Sequence, residues 1–390
     1  MPALRPEMLK ERLPGGSLYQ MCERCVMDTS DPEITFHDGG CIHCSGFLDK
    51  RSSHPYSSGE NQKELHQIID DVRRNGRRSD YDCIIGMSGG VDSSYLAYLV
   101  CKEFGLRPLA VHMDNGWDSA VSVRNIRNLV ESLGLDYECV VLDWKEFRRI
   151  QLAFIKASVP EAETPTDVAI PEVLHSIAAA HNVRYIISGG NLATEGILPK
   201  AWHYNARDRK YFESICMRFG NINPKKFKFY DYRREMYYKV VLGIKTIYPL
   251  NYLAFNKDAT IKLLTDRLGF EYYGQKHHES LYSRFIQGYY LPEKFGIDYR
   301  RATYSAMILD GQMNRQNALQ ALDDLPYHPD LLAEDKRYIA KKLAISISDL
   351  EEFIARPGTW YWEHPNDEGK LAVVYSVYRA LYGKSKLASV

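Results

Sequence analysis

Two groups of residues in this chain have types and spacings that could do chemistry. Cys22 and Cys25 form one C-x-x-C pair and Cys41 and Cys44 a second, with fifteen residues between the pairs and Gly39-Gly40 leading into the second. Four thiolates so spaced suit a tetrahedral zinc ion, because a two-residue gap lets both sulfurs of a knuckle face one point. The shell has no open position for water, so it predicts a structural zinc on which the folding of the first fifty residues depends. The second group is Ser88-Gly89-Gly90-Val91-Asp92-Ser93-Ser94, which follows the apolar run Tyr81–Met87 and precedes an apolar-periodic helix through Phe104. A strand, a glycine loop and a helix N-terminus together aim backbone N–H groups and a partial positive charge at one concavity, which favours a phosphate or pyrophosphate. Gly89 and Gly90 permit a backbone approach that a Cβ would block. The loop is neither G-x-x-x-x-G-K-[ST] nor G-x-G-x-x-G.

The elements that must position these groups read as alternating strands and helices. Arg107–Met113 is a second strand, ending in Asp114-Asn115-Gly116-Trp117. A helix follows over 120–133, a third strand over 137–142, an amphipathic helix over 171–182 and a fourth strand over 183–188. This pattern predicts an α/β fold with a doubly wound parallel sheet, whose ligands sit at the carboxyl ends of the strands beside a topological switch point. Both the glycine loop and the Met113–Trp117 turn are expected there. The fourth strand runs into Gly189-Gly190-Asn191 and on to Glu195. On the residues alone, Asn191 and Glu195 suit helix capping. That Ser-Gly-Gly recurs 100 residues after the first is taken as coincidence because the flanks differ.

A polar stretch from Arg51 to Lys63 reads as a linker, and a helix is expected over 64–75. The boundaries expected are a zinc-binding segment with its linker over 1–60, a domain carrying the phosphate-binding glycine loop over 61–250 and a helical region over 251–390. The aromatic and basic stretch from Trp202 to Tyr252 could stack bases, but suits better a half-buried helix pair with cationic stems packed over it. In the last region helices are expected over 257–268, 299–309, 314–325, 331–343 and 348–354, the last with a Ser348/Glu351 capping box. Between the first two lies a polar-aromatic run that includes Lys276, His277, His278, Glu279, Arg284, Lys294, Arg300 and Arg301. Bidentate guanidinium suits pyrophosphate or a carboxylate, and the histidines could relay protons; solvent-exposed salt bridges and packing are the plain alternatives.

The strand-borne SGGVDSS resembles the pyrophosphate loop of the ATP pyrophosphatases, or PP-loop enzymes, which include GMP synthetases, asparagine synthetases and tRNA-modifying enzymes. The run KHHES…RFIQGYYLPEKFGIDYRRATYSAMILDGQMNRQNAL, with the Cys₄ segment, resembles the N-acetyl sugar amidotransferases of surface-polysaccharide and O-antigen biosynthesis, and the likeness extends to about residue 325. It implies an adenine nucleotide alpha hydrolase-like fold and an AMP-forming reaction with ATP as co-substrate and Mg²⁺. In that reaction an acetamido group of a nucleotide-linked sugar, such as a UDP-diacetamido uronic acid, becomes an acetamidino group. It places Ser88, Gly89, Gly90, Asp92, Ser93, Ser94, Asp114, Gly189 and Asn191 at the nucleotide, with Asp92, Lys276 and His277 in catalysis. Glu195, His278, Glu279, Arg284, Lys294, Arg300 and Arg301 would then meet the substrate. The resemblance also implies separate ammonia-supplying partners, a glutaminase and a (β/α)₈-barrel subunit similar to those of histidine biosynthesis.

Composition narrows the field further. Fifty basic and fifty acidic residues cancel, which removes the simplest argument for a general nucleic-acid binder. Apolar stretches break well short of the ~20 residues a membrane span needs, and the first residues lack a signal-peptide pattern, so a cytoplasmic address is expected. Two rivals stand beside the amidotransferase: a PP-loop tRNA sulfurtransferase, which would need reactive cysteines near the nucleotide, and a non-catalytic zinc- and nucleotide-binding assembly subunit.

Overall fold

Local sequence chemistry sets the first element. Asp38 and Gly39 adopt positive φ angles of 49° and 70°, the two-residue turn that an Asp-Gly pair favours in a hairpin. It joins β1 (Phe36–His37) to β2 (Gly40–Cys41) and delivers Cys41 to the first knuckle. The computed structural model describes residues 19–52, 61–224, 226–253, 256–274 and 279–382. A helix continues from β2 over Ile42–Ser52, so residues expected in a linker are helical, and the next helix begins at Asn61.

The main sheet has five strands: β3 (Cys83–Gly86), β4 (Pro108–Asp114), β5 (Asp136–Val141), β6 (Tyr185–Ile187) and β7 (Lys245–Ile247). Their order is β5-β4-β3-β6-β7 and every pairing is parallel. Cys83, Ile84, Ile85 and all of β6 are buried, as central parallel strands covered on both faces must be. The strand order reverses between β3 and β6. The crevice therefore opens between the two Ser-Gly-Gly loops, and the Met113–Trp117 turn stands one strand away from it rather than at the switch point itself.

Several elements depart from expectation for physical reasons. The helix expected from Pro171 begins at Thr164: Pro165 occupies its first turn, where a missing N–H costs nothing, and Pro171 is carried inside. A helix over Trp144–Ala157, not anticipated, is capped by Asp143, whose carboxylate accepts from Lys145 and Glu146 N–H. The capping box of the Ile347–Ala355 helix is Ser346 with Asp349, because Ser346 is the extended residue just outside it. β7 and the Glu368–Tyr382 helix are likewise additions.

One buried apolar cluster runs from the four knuckle cysteines and Phe47 through Trp117, Phe154 and Phe212 to Tyr290, Leu350 and Trp360. The N-terminal segment and the C-terminal helices thus share a core. Within it Tyr204, Tyr211, Phe212, Phe227 and Phe229 are buried, and Arg209 lies 5.2 Å over the Phe229 ring, so the aromatic stretch packs with cationic stems across it.

Candidate functional site

The glycine loop is built as its sequence requires. Gly89 has φ +74°, and an added Cβ would come within 2.5 Å of the Ser122 carbonyl oxygen. Ser88, exposed at the strand end, accepts from Gly90 N–H at 3.2 Å, and its own N–H donates to Ser93 Oγ at 3.3 Å. The hydroxyls of Ser88 and Ser93 are 3.0 Å apart. Val91–Tyr98 is the helix whose N-terminus faces the loop, with Asp92 in its first turn. Ser94 is fully buried, and its hydroxyl has no partner among the described residues. A cradle without Cβ atoms, three hydroxyls and a helix N-terminus fit the phosphates of ATP.

Residues outside the motif hold the loop in place. Asn125, fully buried, donates to the Gly89 carbonyl at 3.2 Å and to the Glu271 carbonyl at 3.0 Å, and accepts from Glu271 N–H at 2.8 Å. That clamp leads to Tyr273 and Glu279: a Cβ on Gly90 would meet Tyr273 Oη and Glu279 Oε1, both at 3.0 Å. Burial, reinforced by the Glu279 carboxylate, raises the Tyr273 hydroxyl's pKa and keeps it a donor. Beneath the loop, His112 pairs through Nδ1 with the Met87 carbonyl at 2.7 Å and through Nε2 with Asp118 at 3.0 Å. Burial disfavours its imidazolium, but Asp118 and the Met87 carbonyl outweigh burial and leave its pKa raised. Asn125, Tyr273 and His112 carry no motif, so sequence reasoning passed over them; only the folded neighbourhood marks them.

At the carboxyl end of β4, Asp114 accepts from Gly116 N–H at 2.7 Å and Asn115 from Trp117 N–H at 3.1 Å, so both shape the turn. Trp117 stacks on Tyr282 with ring centroids 5.0 Å apart. Across the crevice Gly189 lies against the glycine loop: a Cβ there would come within 3.0 Å of the Asp92 carbonyl. Asn191 caps the short Leu192–Glu195 helix, its Oδ1 accepting from Thr194 N–H at 3.0 Å, while its buried Nδ2 has no partner among the described residues. Glu195 is half-buried in that helix, with Tyr248 among its neighbours.

The basic candidates are mostly committed elsewhere. Arg284 donates to Asp335 at 2.5 Å. Lys294 spends its ammonium on the carbonyls of Phe353, Ile354 and Arg356 at 2.8, 3.2 and 2.5 Å, closing a helix C-terminus. Arg300 forks onto Asp298 and reaches the Ala321 and Asp324 carbonyls at 3.1 and 2.8 Å. Arg301, 4% exposed, pairs with Asp28 at 3.0 Å and donates to the Val26 carbonyl at 2.9 Å. These guanidinium and ammonium groups knit the C-terminal helices together and to the zinc segment. Lys276, His277 and His278 lie outside the described residues.

The four knuckle sulfurs all lie within 4.8 Å of one another. Cys22–Cys44, Cys25–Cys41 and Cys41–Cys44 are separated by 3.7, 3.8 and 3.8 Å. A tetrahedron with bonds of about 2.3 Å puts its corners about 3.8 Å apart, so the site fits zinc in size and ligand type. Cys25 N–H and Met27 N–H point at the Cys22 and Cys25 sulfurs at 3.4 Å each, which stabilises thiolates. A separate concavity of about 350 Å³, lined by Lys200, Arg207, Tyr375 and Arg379 among others, lies toward the last helix. Its Lys200 and Arg207 are already paired with Glu368 and Glu235.

Comparison with known families bears on this geometry. Residues 62–162 match the NAD synthase model, and residues 279–381 match the model described as LPS biosynthesis protein WbpG-like, C-terminal domain. The chain is thus similar to NAD synthase in one segment and to the WbpG-like family in another. Among curated relatives, the tRNA-specific 2-thiouridylase MnmA 2 of Fusobacterium nucleatum is 25% identical over 41% of this chain and 50% of its own. The GMP synthase [glutamine-hydrolyzing] of Pyrobaculum aerophilum is 34% identical over 30% of this chain and 22% of its own. The chain thus spans half the length, or less, of these relatives. The solved NH3-dependent NAD synthetase of Campylobacter jejuni, in complex with the nitrate ion, is 19% identical and aligns over 54% of this chain and 93% of its own, with a TM-score of 0.28. No helix among the described residues is long and apolar enough to cross a membrane.

Proposed function

We propose that the protein is an ATP-dependent, AMP-forming amidotransferase that converts an acetamido group of a nucleotide-linked sugar, in the first instance a UDP-diacetamido uronic acid, into an acetamidino group. The observation that carries this reading is the glycine loop: a PP-loop cradle at the switch point of a parallel sheet, in a chain whose residues 279–381 are WbpG-like. The matches to the NAD synthase model and to a GMP synthase named as glutamine-hydrolyzing support nitrogen transfer as the shared theme.

An amide carbonyl is a poor electrophile with a poor leaving group. Its oxygen attacks the α-phosphate of ATP, forming a P–O bond and releasing pyrophosphate, and the resulting O-adenylyl imidate is attacked at carbon by ammonia. The C–O bond then breaks and AMP leaves with the amide oxygen; the amide N–H proton is given up on activation and a proton of ammonia on attack. The N–H groups of the loop and the hydroxyls of Ser88, Ser93 and Ser94 would hold the departing pyrophosphate. Asp92 and Glu279, the carboxylates beside the loop, would hold Mg²⁺, which spreads charge over the phosphates. The crevice wall from Gly189 to Glu195 would face the acceptor. Ammonia would come from a separate glutaminase through a barrel partner, and the protein would work in the cytoplasm.

The test incubates the protein with Mg-ATP, ammonium and the UDP-diacetamido uronic acid, its acetamido oxygens carrying heavy-oxygen label. The expected result is AMP bearing the label together with a sugar in which NH has replaced one oxygen. AMP with tRNA and a sulfur donor, but none with the sugar, would instead select the sulfurtransferase. Against that rival, Cys83 and Cys216 are fully buried and burial pushes the Cys101 thiol up to about 11, which leaves Cys139 on β5 as the one exposed thiol among the described residues.

A further inference from the structure

We propose that the zinc site positions one wall of the nucleotide crevice: it anchors the Ile42–Ser52 helix, which presses Phe47 and Lys50 against Gly196 and so sets the Leu192–Glu195 turn. The inference concerns the wall and stands whichever acceptor the enzyme uses.

The contacts form two chains that meet at this turn. In the first, Cys44 opens the Ile42–Ser52 helix, and Phe47 one turn later is 1% exposed. It packs closely on Gly196, where an added Cβ would come within 2.5 Å of the Leu192 carbonyl oxygen and 2.7 Å of Phe47 Cε2. A further turn along, Lys50 Nζ donates to the Gly196 carbonyl at 3.1 Å. In the second, the first knuckle is seated on the C-terminal helices. Val26 N–H donates to Ser305 Oγ at 3.1 Å, and Arg315 donates to the Cys25 and Cys22 carbonyls at 2.9 and 3.0 Å. The Arg300–Asp310 helix that carries Arg301 and Ser305 packs in turn along Leu192–Glu195. Arg51 joins the two chains by donating to the Leu309 carbonyl at 2.6 Å, and Trp202 Nε1 donates to the Ser30 carbonyl at 3.2 Å.

Apart from these contacts the turn is held by its Asn191 cap and by Asn251, which accepts from Leu192 N–H at 2.7 Å. Leu192–Glu195 is a helix of four residues, too short to be stable by itself, and it hangs from the loop whose Gly189 abuts the Asp92 carbonyl. Four thiolate bonds to zinc are the strongest fixed point nearby. Lys50 is a positioning residue here.

The experiment removes zinc from the full chain with a chelator under native conditions and follows hydrogen exchange by mass spectrometry. Amides of residues 188–203 should exchange about tenfold faster, while those of β3 and β4 stay protected. Unchanged exchange over 188–203, or an equal loss in β3 and β4, would overturn the proposal. Lys50→Met should keep its zinc by atomic absorption, speed exchange over 188–203, and raise the acceptor KM with the ATP KM and kcat unchanged. Lys50→Arg, which can still donate to the carbonyl, should restore both. Wild-type exchange and acceptor KM in Lys50→Met would sink the idea. Should no sugar be turned over, the proposed function fails, and the exchange measurements still decide the role of the zinc site.

Discussion

Ser88-Gly89-Gly90 and Ser188-Gly189-Gly190 are the same tripeptide at the carboxyl ends of neighbouring parallel strands, and they start alike. In each the serine Oγ accepts from the N–H two residues on, at 3.2 and 3.3 Å. They diverge at the middle glycine. Gly89 takes φ +74°, whereas Gly189 does not enter the left-handed region. Their continuations differ as well: the first loop enters a helix continuous from Val91 to Glu103, and Ser93 reaches back to it. The second enters one helical turn whose cap, Asn191, consumes its own oxygen on Thr194. A phosphate cradle therefore needs more than Ser-Gly-Gly after a strand. It needs a backbone reversal only glycine takes cheaply, a helix long enough to hold its N–H groups in line, and a hydroxyl from that helix.

The comparison can be broken by exchanging what the two loops lack. Gly89→Val should cost the most, because positive φ and the clash with Ser122 both apply; kcat/KM for ATP should drop roughly a hundredfold or more by steady-state AMP release. Gly189→Ala meets only the 3.0 Å contact with the Asp92 carbonyl and should cost roughly tenfold, about 1.4 kcal/mol. Losses of equal size would show that the backbone reversal is not what separates the loops. Asn191→Ala removes a cap and should lower stability by about 1 kcal/mol in denaturant unfolding.

Titration sharpens the contrast. The first loop stands on His112, with Asp118 and Asp114 near its ring; the second is fixed by the amide of Asn251, which accepts from Leu192 N–H at 2.7 Å. His112 has a folded pKa raised above 6.5, so its stabilisation is complete below that pH and is lost as pH rises through the folded value. Unfolding free energy measured across that range should show this fall, and His112→Gln should flatten it. Smallest of all, Ser188→Ala gives up one part-buried hydrogen bond, about 0.5–1 kcal/mol, and should leave the ATP KM untouched.

What could be seen in the sequence was what is local. The cysteine pairs, the glycine loop, the alternating strands and the 120–133 and 257–268 helices are each written in consecutive residues, and the structure draws them close to where they were expected. β7 was hidden because it is three half-exposed residues whose strand character comes from β6 beside it. Arg300 and Arg301 looked like anion ligands because, apart from Asp298 two residues before Arg300, their partners lie far along the chain: carbonyls at Ala321 and Asp324 for one, Asp28 and Val26 for the other. The switch point was misjudged by one strand because strand order is not a property of any segment. Asn125 shows the same limit from the opposite side, an ordinary helical asparagine that becomes a clamp only once Gly89 and Glu271 are brought to it.

The seating of the first knuckle has a consequence for how the molecule is made. Val26 and Ser305 are hydrogen-bonded across 279 residues, and Cys25 and Arg315 across 290. The cysteines lie within one short stretch and can close around a metal soon after they leave the ribosome, but the helices that receive them are translated far later. During the interval Val26 and Met27, both 0% exposed in the finished fold, have no surface to cover them. Assembly is thus a clasp fastened last, and a chain stopped before residue 300 would present that apolar knuckle to whatever it meets.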